Sequence, residues 1–413
     1  MALRHSDFQQ PACSETVPPS AFERWLLRRG LDALGRPPLT FVLWIGEQVC
    51  ASDEAPRARV HLRKRAVLRK MLLHPDLVLG EAYTDGSLEV EGDLSECAAL
   101  CFGASNGVPA WARALSGALG WRPLHNTRRR GRRNVQLHYD LGNDFYSLWL
   151  DERMVYSCAY FETPGVSLEQ AQLAKLDHVC RKLRLRQGER VVETGCGWGA
   201  LALHMAERYG VTVRAFNVSA EQVRWAREQA KQRGLSSRVE FVDDDYRSAS
   251  GSFDAFVSVG MLEHVGPPQY RTLGRVIDRC LAPHGRGLLH FIGHTRRMQT
   301  SLWIDRYVFP GGYTPALSEM LPVFEPQKLE VVDLENLRRH YVRTLEHWLE
   351  RFEKAADRVT KMTDERFVRL WRVYLAGSIA AFRTGSNQLY QVLFARAGGT
   401  RLPWTRDDLY VRG

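Results

Sequence analysis

The run Glu193-Thr194-Gly195-Cys196-Gly197-Trp198-Gly199 is the stretch of this chain whose residue types most directly imply a ligand. It follows a short apolar strand ending in Val191 and Val192 and precedes an apolar helix. Its glycines therefore let backbone approach a bound molecule while helix amides face it. The GxGxG spacing differs from the GxGxxG of dinucleotide sites and suits S-adenosylmethionine (SAM), with Glu193 as the acid at the strand end. Asn217 ends the second strand, where a carboxylate often holds a ribose; its amide can pair with a hydroxyl, and an Asn there can equally be a turn former. Gln222 has two readings as well, cofactor contact or partner of Ser219 in a capping box. Of Asp243, Asp244 and Asp245, one at most, taken as Asp244, is expected at an adenine; three acids in a loop are otherwise solvated.

The elements that must hold these residues alternate from Arg190 onward. Ala200 to Tyr209 reads as a helix closed by Gly210, Val211 to Phe216 as a strand, and Ser219 as the cap of a helix that stops at Gly234. Val239 to Val242, Phe253 to Val259 and Gly287 to Ile292 read as further strands, with later ones near Val331 and at Leu389 to Phe394. That succession predicts an α/β fold, a doubly wound Rossmann-like sheet with its ligand at the strand carboxyl ends. Ahead of it, residues 1–20 read as a loose tail and 21–102 as a small α+β domain, with a strand at Leu39 to Ile45, a basic helix at His61 to Leu73 and short strands around Gly86 to Val90. Residues 103–133 read as a basic linker, 134–397 as the catalytic domain and 398–413 as a tail.

Of 413 residues, 57 are Lys or Arg and 47 Asp or Glu, a net charge of +10. Arg57 to Lys70 and Arg113 to Arg133 each hold seven basic residues and no acidic one, so these two patches carry more than the whole excess. They ask for a polyanion, either nucleic acid or an anionic membrane surface. No apolar run approaches the roughly 20 residues of a membrane-spanning helix, and the first twenty residues contain no secretory h-region. The chain is expected in the cytoplasm or at most lying on a membrane. Eight cysteines without CxxC pairs suggest reduced thiols.

Five motifs then occur in order: His138 to Tyr146 (HYDLGNDFY), Tyr156 to Phe161 (YSCAYF), Gly195 to Gly199, Gly260 to Gly266 (GMLEHVG) and Tyr307 to Gly312 (YVFPGG). In these the chain resembles the cyclopropane-fatty-acyl-phospholipid synthase family, which includes the mycolic acid cyclopropane synthases. The resemblance is strong over about residues 134–397 and extends weakly to Gly80-Glu81-Ala82-Tyr83 and Asp85-Gly86. It implies methyl transfer from SAM to the cis double bond of an acyl chain and closure of a cyclopropane ring. An alkene is a weak nucleophile, so the methyl group must be held close and in line. The resulting carbocation needs a dry site with π faces, for which Tyr156, Tyr160, Phe161, Trp303 and Tyr307 are the expected lining.

The resemblance also implies a bound bicarbonate as the base, held by Cys158, Glu263, His290, the Ile292 amide and Tyr341. Taken singly, Cys158 would be a small buried hydrophobe, His290 a core histidine and Glu263 a solvated acid. The SAM contacts implied are Tyr156, Ser157, Gly195, Gly197, Asn217, Gln222 and Gly260, with Asn217 and Thr194 standing where the family commonly has Thr and Ile. Family members that make methyl-branched, methylene-branched or furan-precursor fatty acids share these motifs. The partners implied are unsaturated phospholipids, with both basic patches on anionic headgroups at the inner face of the membrane, and a homodimer is expected. Nucleic acid is not: no Asn-Pro-Pro-Tyr or Pro-Cys run occurs in the sheet, and the patches interleave few aromatics.

Overall fold

Among the residues described in the computed structural model (16–71, 75–104, 126–139, 141–398 and 404–410), eleven strands form two sheets, one in each of two compact units. The first unit comprises Met1–Trp121, Ser301–Val308 and Phe352–Ser386. It runs α1 (Ala21–Ala33), β1 (Leu39–Val42), β2 (Gln48–Cys50), β3 (Ala58–Leu62), α2 (Arg65–Met71), α3 (Pro75–Thr84), β4 (Leu88–Glu91) and α4 (Leu94–Ala104). The strand order is β2-β1-β3-β4, with only β1 and β3 parallel. A basic helix was expected from His61; instead Ala58, Val60 and Leu62 alternate inward as strand β3, and the helix starts only at Arg65.

The catalytic domain expected to be continuous over 134–397 is interrupted, because Ser301–Val308 and Phe352–Ser386 belong to this first unit. Their side chains explain it. Asp76 at the start of α3 accepts from Ser301 Oγ (2.8 Å) and the Leu302 amide (2.7 Å), which caps the helix Leu302–Tyr307. Tyr307 donates to Glu81 (2.6 Å), and a β-carbon on Gly80 would collide with the Trp303 indole, so the Gly80-Glu81 pair is fitted to that helix. On the helix Glu365–Thr384, Arg369 donates to the Tyr83 carbonyl (2.7 Å) and lies over the Tyr83 ring.

The second unit, Arg122–Thr300, Phe309–Arg351 and Asn387–Gly413, contains the expected doubly wound sheet. Its strands are β5 (Arg190–Thr194), β6 (Thr212–Asn217), β7 (Val239–Asp243), β8 (Phe253–Val259), β9 (Leu281–Gly293), β10 (Leu329–Asn336) and β11 (Gln388–Arg396). They lie in the order β10-β11-β9-β8-β5-β6-β7, with β5 to β9 parallel to one another and β11 antiparallel to both β9 and β10. β5 is buried on both faces: Val191 packs into one hydrophobic core and Val192 into the other. The order reverses between β5 and β8, where an open α/β sheet places its ligand.

The expected linker ends earlier than predicted. Arg128–Tyr139 is a helix, in which Arg128 donates to Ser248 and Arg132 pairs with Asp243; Arg113, Arg122 and the side chain of Arg133 lie outside the described residues. The other patch is also largely satisfied internally: Arg57 pairs with Glu96, Arg59 with Glu91, and Arg65 and Arg69 both with buried Glu23.

Gly199 has no room for a side chain. Its φ is +86°, and a β-carbon there would lie 2.7 Å from Phe241 Cζ and 2.8 Å from Ala226 Cβ. Left-handed strain and overpacking should make Gly199→Ala cost about 2–4 kcal/mol, seen as a lowered urea midpoint with SAM absent.

Candidate functional site

A cavity of about 140 Å³ lies at the carboxyl ends of β5 to β8. Every residue expected at the cofactor lines it: Tyr156, Ser157, Glu193, Gly195, Gly197, Asn217, Gln222, Asp244 and Gly260. The turn itself is set by positive φ at Gly195 (+79°), Gly197 (+54°) and Gly199, and by the Gly195 amide donating to the Phe216 carbonyl (2.8 Å). A β-carbon on Gly195 would come within 2.8 Å of Met261 Cβ, so β8 and the turn meet only because that carbon is missing.

Asn217 resolves toward its structural reading. Its Nδ2 donates to the Gly197 carbonyl (3.2 Å) and to Gln222 Oε1 (2.8 Å), while Oδ1 accepts from the Val218 amide (2.9 Å), which uses both of its amide protons. The capping box forms by half: Ser219 accepts from the Gln222 amide, but the Gln222 side chain goes to Asn217. Gln222 Nε2 is buried against the cavity with no partner among the described residues. Of the three acids, Asp243 is paired with Arg132, while Asp244 and Asp245 both line the cavity, Asp245 also accepting from the Arg247 amide as a cap.

Lys175, not expected from the sequence, is fully buried in the helix Leu168–Leu183 and also lines the cavity. Its Nζ donates to Ser157 Oγ (2.9 Å), and Gln172, one turn earlier, donates to the Ser157 carbonyl (2.8 Å). Burial lowers the Lys175 pKa to about 8, against the pull of Asp151. Burial likewise raises Glu193 to about 8, against Lys175.

The five residues expected at the base do not line the cavity; Cys158 and Glu263 lie close in the chain to residues that do, and His290 is tied to one through its backbone. Cys158 follows Ser157, Glu263 follows Met261 by two, and the Gly260 amide donates to the His290 carbonyl (2.9 Å). Glu263 Oε1 accepts from the Ile292 amide (2.7 Å), so that amide is already engaged by the carboxyl beside it. Burial raises Glu263 to about 7 despite this bond. On β11, Gln391 Nε2 sits 3.0 Å from His290 Nδ1 across a register pair, which makes Nδ1 an acceptor and puts the proton on Nε2. Burial, with the charges of Lys175 and Lys182, holds His290 down at about 3, so it is neutral. Cys158 is fully buried and its thiol is pushed up by that burial. Its Sγ is 4.0 Å from the Leu337 carbonyl, just before the helix Arg338–Lys354 that carries Tyr341.

An aromatic cluster joins the two groups. Tyr156 packs against Tyr146, Trp149 and Trp348 with centroids 5.3–5.4 Å apart, Tyr146 meets Trp198 at 5.1 Å, and Tyr341 meets Trp348 edge-on at 5.9 Å. Tyr160 is sandwiched between the His178 and His340 rings (4.3 and 4.7 Å), and Phe161 stacks on His347. Trp303 and Tyr307, expected in the same lining, belong to the first unit.

The family model of mycolic acid cyclopropane synthetase matches residues 126–392, and a model of a domain of unknown function matches 27–107. The chain is 38% identical over 393 residues to a protein of Pseudomonas putida named "Probable fatty acid methyltransferase", covering 90% of this chain and 96% of that one. It is 38% identical to the cyclopropane-fatty-acyl-phospholipid synthase of Escherichia coli, covering 84% and 90%. Among solved structures, the mycolic acid cyclopropane synthase CmaA1 complexed with SAH and CTAB aligns with a TM-score of 0.61 at 28% identity, covering 64% and 98%.

Glu263 gives this site a pH signature. Its folded pKa of about 7 lies above the ordinary 4.5, so its contribution to stability is complete below 4.5 and is lost as pH rises through 7. Glu263→Gln keeps an acceptor for the Ile292 amide and abolishes the titration. Relative to wild type, its unfolding free energy from urea titration should rise by roughly 3 kcal/mol between the acid and alkaline sides of that window.

Proposed function

The chain belongs to the mycolic acid cyclopropane synthetase family of SAM-dependent methyltransferases, and from that premise we propose that it methylates the cis double bond of unsaturated acyl chains in membrane phospholipids and closes a cyclopropane ring. The observation that carries this reading is convergence: nine cofactor residues from separate stretches line one cavity, and Ser157 and Met261 lead from it directly to Cys158 and Glu263.

SAM, when bound, supplies the electrophilic methyl group. Lys175 and Gln172 fix Ser157, and Asn217 braces the glycine turn to Gln222, so the protein atoms around the cofactor are set before it binds. The rings of Tyr146, Trp149, Tyr156 and Trp348 exclude water and offer π faces to positive charge.

Bicarbonate, when bound, supplies the base for the proton lost in ring closure. Glu263 Oε2 and His290 Nε2 are buried polar atoms without partners among the described residues, a donor set that suits a small anion. His290 Nε2–H, the Cys158 thiol and the Tyr341 hydroxyl would hold it as neutral donors, and Glu263, near its midpoint at neutral pH, can donate or accept. The Ile292 amide would reach it only by giving up Glu263. The P. putida relative favours a second reading, in which the same cation loses a proton without ring closure and ends as a methylene branch or a methyl-branched alkene.

Incubation with labelled SAM and monounsaturated phospholipid vesicles, followed by gas chromatography and mass spectrometry, decides between them. A cyclopropane acyl product is expected; a branched product alone would replace the leading reading with the second. Cys158→Ser and Tyr341→Phe should each lose about 100-fold or more in turnover while SAM binding by calorimetry is retained, and full turnover in Glu263→Ala would remove the bicarbonate assignment.

A further inference from the structure

We propose that the outer face of α1, built on Phe22, Trp25 and Arg29, together with the exposed cations Arg28, Lys64 and Lys70, is the surface through which the first unit lies on an anionic phospholipid bilayer. The choice of partner rests on the lipid function proposed above; the surface itself rests on how α1 is built.

Glu23, Leu27 and Leu31 recur at helical spacing and are buried, so α1 has one inward stripe. On the opposite side Phe22 is 65% exposed and Trp25 52%. Their rings stack at 5.9 Å, and the Arg29 guanidinium lies 5.7 Å over Trp25, so the i, i+3, i+7 positions form one continuous strip of two rings capped by a cation. Val17, just ahead of the helix, is also exposed and is held by its carbonyl accepting from Trp44 Nε1 (2.8 Å). Two large rings left in water beside arginines match the interfacial zone of a membrane, where the rings enter the headgroup boundary and the guanidinium meets phosphate.

The charge around the strip has the sign this partner requires. Glu23, the one acid pointing toward α2, is consumed by Arg65 (2.7 Å) and Arg69 (3.1 Å), which also tie α2 to α1. Burial disfavours its charge, yet the Arg65 bond prevails and brings its pKa down to about 2. Asp32 is taken by Arg36, and Glu47 by Arg24. Arg28, Arg29, Lys64 and Lys70 remain exposed, with no ion pair among the described residues. The Arg57 to Lys70 patch thus loses Arg57, Arg59, Arg65 and Arg69 to internal carboxylates, and α1, absent from that patch, supplies the apolar anchor. Adjacent apolar and cationic groups give binding that depends on both anionic lipid and salt.

The test is co-sedimentation of the full chain with vesicles of phosphatidylcholine alone and of phosphatidylcholine with phosphatidylglycerol, at low and high salt. Wild type should prefer the anionic vesicles. Phe22→Ser/Trp25→Ser should bind both compositions roughly tenfold more weakly or worse, and Arg28→Glu/Arg29→Glu should lose the preference for phosphatidylglycerol. Urea midpoint and SAM affinity should match wild type in both variants, because these side chains are exposed. Unchanged sedimentation of the ring variant, or no vesicle binding by wild type, overturns the proposal. So does a wild-type dimer that the ring variant alone abolishes at unaltered vesicle binding, or loss of single-stranded nucleic acid binding instead of lipid binding. Methyl transfer to detergent-dispersed unsaturated phospholipid, assayed in parallel, separates the two readings: its absence in wild type removes the lipid function, while sedimentation still decides the surface.

Discussion

Withdrawal from water governs the chemistry of the second unit. Lys175, Glu193, Glu263, His290 and Cys158 are all buried, and burial drives each toward its uncharged form. For a reaction through a carbocation this has a direct use. An ionised thiolate or a charged imidazolium beside the reacting carbon would respectively capture or repel it, whereas a neutral thiol and a neutral imidazole do neither. Lys175 is the counterweight: its positive charge pulls against the upward shifts of Glu193 and Cys158 and adds to the downward shift of His290. One side chain therefore sets the electrostatics of both the cofactor cavity and the residues behind it.

Rigidity in the cofactor cavity comes from saturated polar groups. Asn217 spends both amide protons on the turn and on Gln222, and Arg247 donates from its guanidinium to the Asn126 carbonyl (3.0 Å) while its own amide is taken by Asp245. Asn126 in turn donates to the carbonyls of His264 (2.9 Å) and Gly311 (3.0 Å), so loops far apart in sequence meet on one asparagine. With the Asn217 amide protons spent, the buried donor left facing the cavity is Gln222 Nε2, which Asn217 orients by holding the other end of the same amide.

What the sequence revealed and what it hid divide along physical lines. The glycine turn and its sheet were legible because glycine spacing and alternating strands are local signals, and the nine residues expected at the cofactor from them or from matched motifs line one cavity. The helix expected from His61 starts four residues later, at Arg65, because His61 and Leu62 finish β3, whose basic residues occupy only its outward positions and imitate a charged helix. The return of Ser301–Val308 and Phe352–Ser386 to the first unit was invisible, since Asp76 and Gly80 reveal their partners only in three dimensions. Lys175 and Gln391 did leave a trace: a lysine on the apolar face with Leu168, Ala171 and Leu176, and a glutamine inside the run Leu389 to Phe394, are polar residues where the pattern demands apolar ones. Such violations concentrate at functional sites.

The network beyond Tyr341 illustrates the same rule at greater depth. Glu335 on β10 accepts from fully buried His178 (2.7 Å) and pairs with Lys182 (2.6 Å). Burial opposes ionisation, but these two partners outweigh it and bring Glu335 down to about 2. A buried ion pair of this kind contributes little net stability, because desolvation offsets attraction; its use here is to fix geometry. His178, held in one orientation, forms one wall of the slot in which Tyr160 lies, and His340 forms the other. Tyr160 stands two residues after Cys158, and His340 immediately precedes Tyr341. The His340 ring accepts from the Phe161 amide (3.0 Å), and Thr344 on the same helix accepts from the Ala159 amide (3.0 Å). The Cys158 segment and the Tyr341 helix are thereby laced together by two hydrogen bonds and a three-ring stack, so the charged cluster behind them sets the spacing of the two residues.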